Sequence, residues 1–144
     1  HVGQALVPAL ANLDFRVTEL DNREALANKE AFPQADEVIF TDFSNIYDKV
    51  TLTPDDYVVI MTPGHQADYE VLEQVLRCKT RYVGCIGRRH KTARTQQLLR
   101  DAGISEEMIH SVHSPIGLAI GAETPAEIAI SIAAEMIACR ASVQ

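Results

Sequence analysis

His1-Val2-Gly3-Gln4-Ala5-Leu6-Val7-Pro8-Ala9-Leu10 runs a glycine directly into a helix, and Phe15-Arg16-Val17-Thr18-Glu19-Leu20-Asp21 follows it as a short strand ending on a carboxylate. The first stretch reads as the back half of a G-x-G-x-x-G turn, with Gly3 as its third glycine. In a dinucleotide-binding βαβ unit that glycine lets the helix pack closely on the first strand. The helix N-terminus then offers N–H groups and a partial positive charge to a pyrophosphate, so His1, Val2 and Gly3 are cofactor-binding candidates. Val2, Ala5, Leu6, Ala9, Leu10 and Leu13 share one helical face. Asp21 falls about 20 residues beyond the glycines, where a residue that ties down ribose hydroxyls is expected. Asp21-Asn22 is equally good turn chemistry, and both readings stand. Arg23 adds a further option, because an arginine there accommodates a 2′-phosphate and shifts preference from NAD to NADP.

The 144 residues are one domain's worth of chain, 47% hydrophobic and 23% charged, as in an ordinary globular protein. A net charge of −7 argues against nucleic acid and against an anionic membrane surface as partners. No apolar run approaches a membrane span, and no signal-peptide pattern opens the sequence. Cys78, Cys85 and Cys139 are odd in number and lack metal-ligand spacing, which reads as reduced thiols in a cytoplasmic protein with no metal site.

Outward from the opening stretch, strands and helices alternate. A short helix is expected over 23–30, stopped by Phe32-Pro33. Glu37-Val38-Ile39-Phe40 and Tyr57-Val58-Val59-Ile60-Met61-Thr62 read as buried parallel strands. A helical turn is expected near 45–49, a helix over 67–79, a strand over 81–87 and a helix over 88–102 closed by Gly103 at C′. Ser105 is the expected N-cap of another short helix. This order predicts an α/β fold with a doubly wound, mainly parallel sheet and helices on both faces. Asp21, Thr62-Pro63-Gly64-His65 and 84–88 are then expected to converge at the strand ends. Such a sheet uses its first strand centrally, so the natural protein is expected to extend upstream of His1 with an apolar strand ending in Gly-x-Gly. Pro8 lies inside the first helix, where it removes a hydrogen bond and favours a kink.

The last third is glycine-punctuated up to Thr124-Pro125-Ala126-Glu127, a capping box with proline at the first helical position. The helix beyond it carries Ile128, Ile130, Ile132, Met136 and Ile137 nearly all round and is expected to be buried on every side. It lies either beneath a second domain or in a subunit interface, and a homodimer contact is the first choice.

His1-Val2-Gly3, the Thr62-x-Gly64-His65 turn, Tyr82-Val83-Gly84-Cys85-Ile86-Gly87-Arg88-Arg89 and His113-Ser114-Pro115-Ile116-Gly117-Leu118 with Gly121-Ala122-Glu123-Thr124-Pro125-Ala126-Glu127-Ile128-Ala129 together resemble the C-terminal domain of the XdhC/CoxI family. These are maturation factors of xanthine dehydrogenase and carbon monoxide dehydrogenase, and the resemblance covers essentially the whole chain. It implies a single Rossmann-like domain over 1–144 that lacks its first strand. It further implies a cytoplasmic, non-catalytic accessory protein that binds molybdenum cofactor and hands it, once sulfurated, to an apo-molybdoenzyme of the xanthine dehydrogenase type. A sulfurating desulfurase is a second implied partner. The separate N-terminal domain of the family is absent from this sequence, and its cofactor-handling residues do not transfer to Cys78, Cys85 or Cys139.

The remaining candidates each have a chemical and a structural reading. Thr62 and Gly64 end the best strand, where a glycine admits a phosphate or ring, or merely makes the turn. His65 either donates to a phosphate or pterin carbonyl or caps the next helix. Gly84 and Gly87 point to close backbone approach, and Arg88, with Lys91 beside it, either grips an anion or is solvated. His113 is either a site residue or a hydrogen-bonded structural histidine. Gly117, Gly121 and Thr124 read as backbone and capping devices. An NAD(P)-dependent oxidoreductase is the competing function, and a dimerisation or docking domain the third.

Overall fold

The computed structural model describes residues 1–62, 65–86 and 89–142, with only the backbone of 65, 66 and 89–92. The chain forms two compact units, His1–Asp42 with Gly117–Gln144, and Phe43–Ile116.

In the first unit, helix α1 (Val2–Asn12) buries Leu6, Val7 and Leu10. It continues through Pro8, which lacks an N–H and so omits one ladder bond. Strand β1 (Thr18–Asp21) pairs in parallel with β2 (Glu37–Phe40), Thr18 opposite Glu37 and Asp21 opposite Phe40. Side-chain bonding starts the ladder: Val17 N–H donates to an Asp36 carboxylate oxygen at 2.8 Å, and Asp36 N–H donates back to Val17 C=O at 2.8 Å.

Residues 23–30 form turns instead of the expected helix. Leu26 and Ala27 N–H both donate to Arg23 C=O, but Asn28 N–H folds back to Leu26 C=O at 2.9 Å. The Asn28 amide then donates to Ala25 C=O at 2.8 Å and accepts from Ala31 N–H at 2.9 Å. A short polar side chain has outcompeted the helical ladder.

Helix α5 (Pro125–Ala141) packs against α1 and begins with the expected capping box, Thr124 Oγ accepting from Glu127 N–H and Glu127 accepting from Thr124 N–H. Its buried residues are Ala129, Ser131, Ile132, Ala133 and Met136, and Ile130 and Ile137 are exposed. Within the single chain one stripe of the helix is covered, and Ile130 and Ile137 lie on the face left over for a second domain or a second copy. The small residues bring the backbones together there, and β-branched side chains of similar hydropathy are left outside. At the far end Arg140 lies over the Phe15 ring at 4.7 Å and donates to Leu13 C=O at 3.1 Å.

The second unit holds a 3₁₀ turn at Ile46–Asp48, strand β3 (Tyr57–Ile60), helix α2 (His65–Val75), strand β4 (Tyr82–Cys85), helix α3 (Arg89–Asp101) and helix α4 (Glu106–His110). β3 and β4 are parallel, Tyr57 opposite Tyr82 and Ile60 opposite Cys85. Every residue of β4 is buried. Val71, Leu72, Val75 and Leu76 of α2 and its end, with Leu99, Ile104 and Ile109, close the core. Gly103 adopts φ +88° where C′ was expected, and Ser105 caps α4 through Met108 N–H. Strand and helix alternate as in an α/β fold, and both strand pairs are parallel. Among the described residues, no helix is long and apolar enough to cross a membrane.

Candidate functional site

Two groups of predicted site residues form, one in each unit. In the first unit Asp21 closes β1 and is 5% exposed. Its Oδ1 accepts from Arg23 N–H at 2.9 Å and from Arg23 Nε at 3.0 Å, and its Oδ2 accepts from Nη2 at 2.9 Å. The tight Asp21-Asn22-Arg23 turn brings this about: the backbone N–H two residues on reaches the carboxylate, and the guanidinium folds after it. Burial by itself would raise the Asp21 carboxyl, but the hydrogen bonds and charge of Arg23 outweigh it and hold the group below the ordinary carboxylate range. Asp21 and Arg23 are thus brought together as one unit, and both carboxylate oxygens are already bonded. A sugar diol has to compete with a bidentate arginine for them.

Glu19 lies two residues before Asp21, on the same face of β1. Burial, and then the Asp21 charge, push it up to about 7, partly offset by Arg23. His1 is the N-cap of α1 and makes no side-chain cap, and the first turn that follows through Val2 and Gly3 has no acidic residue.

In the second unit Thr62 follows β3 and is tied to α2. Its N–H donates to Asp68 Oδ1 at 2.9 Å, and its hydroxyl donates to the same oxygen. Asp68 is buried in the first turn of α2, where a carboxylate is stabilised by the helix end. Thr62 therefore acts as a strap between β3 and α2. Burial, and then the Asp68 charge, push the neighbouring Cys85 thiol up to about 12.

Gly84 is a close-approach position, as its place within a strand suggested. A Cβ there would lie 2.5 Å from Ile116 Cδ1 and 2.7 Å from the Tyr82 hydroxyl. Protein side chains occupy the space that the sequence reading left open. His113 continues the sheet beside β4: its N–H donates to Val83 C=O at 2.8 Å and its C=O accepts from Cys85 N–H at 3.0 Å. Its ring stacks on Tyr82 at 4.6 Å and 18°, and Tyr82 stacks on Tyr57 at 6.0 Å. The peptide bond from Ser114 to Pro115 is cis. Gly117, at φ +95°, faces Ser131 of α5 so closely that any Cβ would collide with it. Its N–H donates to Glu135, which confirms it as a backbone device. Gly121, at φ +74°, has open space around it.

Gly64, Gly87 and Arg88 lie outside the described residues, as do the side chains of His65 and Lys91; the backbone of His65 opens α2. Four residues of evident local importance went unnoticed in the sequence. Asp68 was legible as an acidic residue in the first turn of a helix, and Glu19 as the same-face neighbour of Asp21. Phe40 sits opposite Asp21 and is 51% exposed. Tyr82 is the platform under His113.

With that geometry in hand, residues 1–136 match the XdhC Rossmann domain. The chain is 33% identical over 138 residues to the Uncharacterized protein YqeB of Escherichia coli (strain K12), covering 95% of this chain and 25% of that protein. It is 32% identical over 130 residues to a probable xanthine dehydrogenase subunit of Bacillus subtilis (strain 168), covering 90% of this chain and 37% of that one. Among solved structures, a xanthine dehydrogenase from Bacillus halodurans superposes with a TM-score of 0.87 at 35% identity, over 99% of this chain and 41% of the other. The chain spans between a quarter and about two-fifths of the length of these relatives. It belongs to the XdhC Rossmann domain family.

Proposed function

We propose that this domain is the nucleotide-fold part of a cytoplasmic maturation factor, which binds molybdenum cofactor and passes it to an apo-molybdoenzyme of the xanthine dehydrogenase type. The match of residues 1–136 to the XdhC Rossmann domain carries this reading. The name of the Bacillus subtilis relative supports the choice of recipient enzyme. When bound, the cofactor supplies a pterin ring, a phosphate monoester and a molybdenum centre whose sulfido ligand the recipient needs.

The residues present fit the phosphate end. Arg23 is oriented by a buried carboxylate, and the first turn of α1 has no acidic residue to repel an anion. Among the described residues, no group of three His, Cys, Asp or Glu side chains is placed to ligate a metal. Ile130 and Ile137 of α5, with Leu118 and Ile120 in the loop before it, are exposed large apolar residues of one unit, and we assign them to a homodimer contact. A sulfurating desulfurase is the second partner of this reading.

The competing reading, an NAD(P)-binding oxidoreductase domain, draws on Asp21 at the end of β1 with Arg23 beside it. Calorimetric titration of the intact protein with molybdenum cofactor, NADH and NADPH separates the two, followed by reconstitution of apo-xanthine dehydrogenase. Cofactor binding, with activity restored to the recipient, is the expected result. Turnover of a reduced nicotinamide without cofactor binding overturns it.

A further inference from the structure

Thr62 stands just beyond β3 in the second unit, and its hydrogen bonds give its hydroxyl a fixed polarity. Its N–H donates to Asp68 Oδ1 at 2.9 Å, and its hydroxyl donates to the same oxygen. A threonine hydroxyl has one proton and two acceptor lone pairs, and here the proton is directed at a carboxylate. Toward any other group Thr62 Oγ is therefore an acceptor. Donating to a charged partner also strengthens it in that role, because linked hydrogen bonds polarise one another. Asp68 is 8% exposed, whereas Thr62 is half-buried, so Thr62 is the accessible member of the pair.

The sign of the surrounding charge points the same way. Asp68 lies in the first turn of α2, and its charge also reaches the Cys85 thiol at the end of β4 and pushes it up. Ile86 N–H donates to Ile60 C=O at 3.0 Å, which holds the ends of β3 and β4 side by side. The positive end of the α2 dipole is thus offset by the helix's own carboxylate. Such a place favours a hydrogen-bond donor and disfavours a phosphate.

We propose that Thr62 selects an exocyclic amino group on a flat heterocycle, with Thr62 Oγ accepting from the amine and Asp68 as the positioning residue that sets the polarity. A ring-conjugated amino group donates and hardly accepts, so it matches a hydroxyl whose proton is already committed. An oxo group in its place would set lone pair against lone pair. A ligand hydroxyl can turn either way and is not discriminated. Two sources carry such an amine, the pterin of molybdenum cofactor and the adenine of a dinucleotide. The inference deepens the reading proposed above and rests on it only for the pterin source.

The test is calorimetric titration of the intact protein with two matched pairs, pterin against lumazine and adenosine against inosine, and with molybdopterin. In each pair an oxo group replaces the amino group. Thr62→Val, Thr62→Ser and Asp68→Asn are compared with the unsubstituted protein, and circular dichroism confirms that each is folded. The amino member of at least one pair is expected to bind about tenfold or more tightly than its oxo partner, as an unmet buried hydrogen bond costs. Thr62→Val should erase that preference and Thr62→Ser should retain it. Asp68→Asn should reduce it, because a neutral amide draws the hydroxyl proton less strongly. A residue that only straps β3 to α2 would weaken both members of a pair alike.

A preference for adenosine that depends on Thr62, without molybdopterin binding, supports the inference and counts against the maturation reading. Molybdopterin binding with an amino preference that Thr62→Val leaves unmoved overturns the inference and leaves the maturation reading standing. Failure of the unsubstituted protein to discriminate within either pair overturns it, whether or not molybdopterin binds.

Discussion

Glu19 shows most directly how one side chain links burial to pH. Its native value of about 7 lies above the ordinary 4.5, with burial as the largest cause. The native state therefore holds a proton that the unfolded chain has already lost between those two values. Stability falls as pH rises through that window, by on the order of 2 kcal/mol, and the cost is complete above it. Asp21, Glu106 and Glu127 are held below their ordinary values and act at lower pH with the opposite sign. Glu19→Gln is expected to raise stability at pH 8 and change it little at pH 5, as read by urea unfolding; equal gains at both would refute the assignment. A second residue-scale expectation concerns Cys85, whose thiol is pushed up to about 12 by burial and by Asp68. It should resist iodoacetamide in the native protein at pH 8 and react only after denaturation, as mapped by mass spectrometry. Asp68→Asn should not expose it, because burial is the larger cause.

At the scale of elements, local rules and packing rules divided the work. The caps at Ser105 and Thr124 and the left-handed Gly103 were legible because each is settled within four residues of backbone. Thr124→Ala is expected to cost about 1 kcal/mol, measured as a lowered urea midpoint with an unchanged m-value. The turns over 23–30 were not legible, because Asn28 had two competing sets of backbone partners and helical composition spoke only for one. Helix α5 was legible only in part. Hydropathy counts apolar residues around a helix, whereas folding of the single chain covers only the stripe of Ala129, Ser131, Ile132, Ala133 and Met136. Within the candidate sites, the sequence marked Asp21, Arg23 and Thr62 as polar groups at strand ends. It did not show that Arg23 already holds Asp21 or that Asp68 already holds Thr62, because those pairings depend on rotamers and on where the next helix begins.

For the whole molecule, the exposed Ile130 and Ile137 support the proposed second copy. Ile130→Lys together with Ile137→Lys should convert a dimer to a folded monomer in multi-angle light scattering with little loss of thermal stability. A wild-type protein that is already monomeric removes the proposal. Apart from the helix expected over 23–30, the alternation of strands and helices and the parallel character of the pairing were legible in the sequence alone, as was the resemblance to the XdhC family. The period of apolar residues and the glycine, proline and capping positions act over a few neighbours and need no knowledge of the rest. Tertiary structure alone decided which polar groups are already bonded to one another, which face of α5 is covered, and that Phe40 lies opposite Asp21, half in solvent. Those outcomes depend on rotamers, on where the next helix begins and on which faces the folded chain covers, and a buried carboxylate is bonded only to donors that the folded backbone brings within reach.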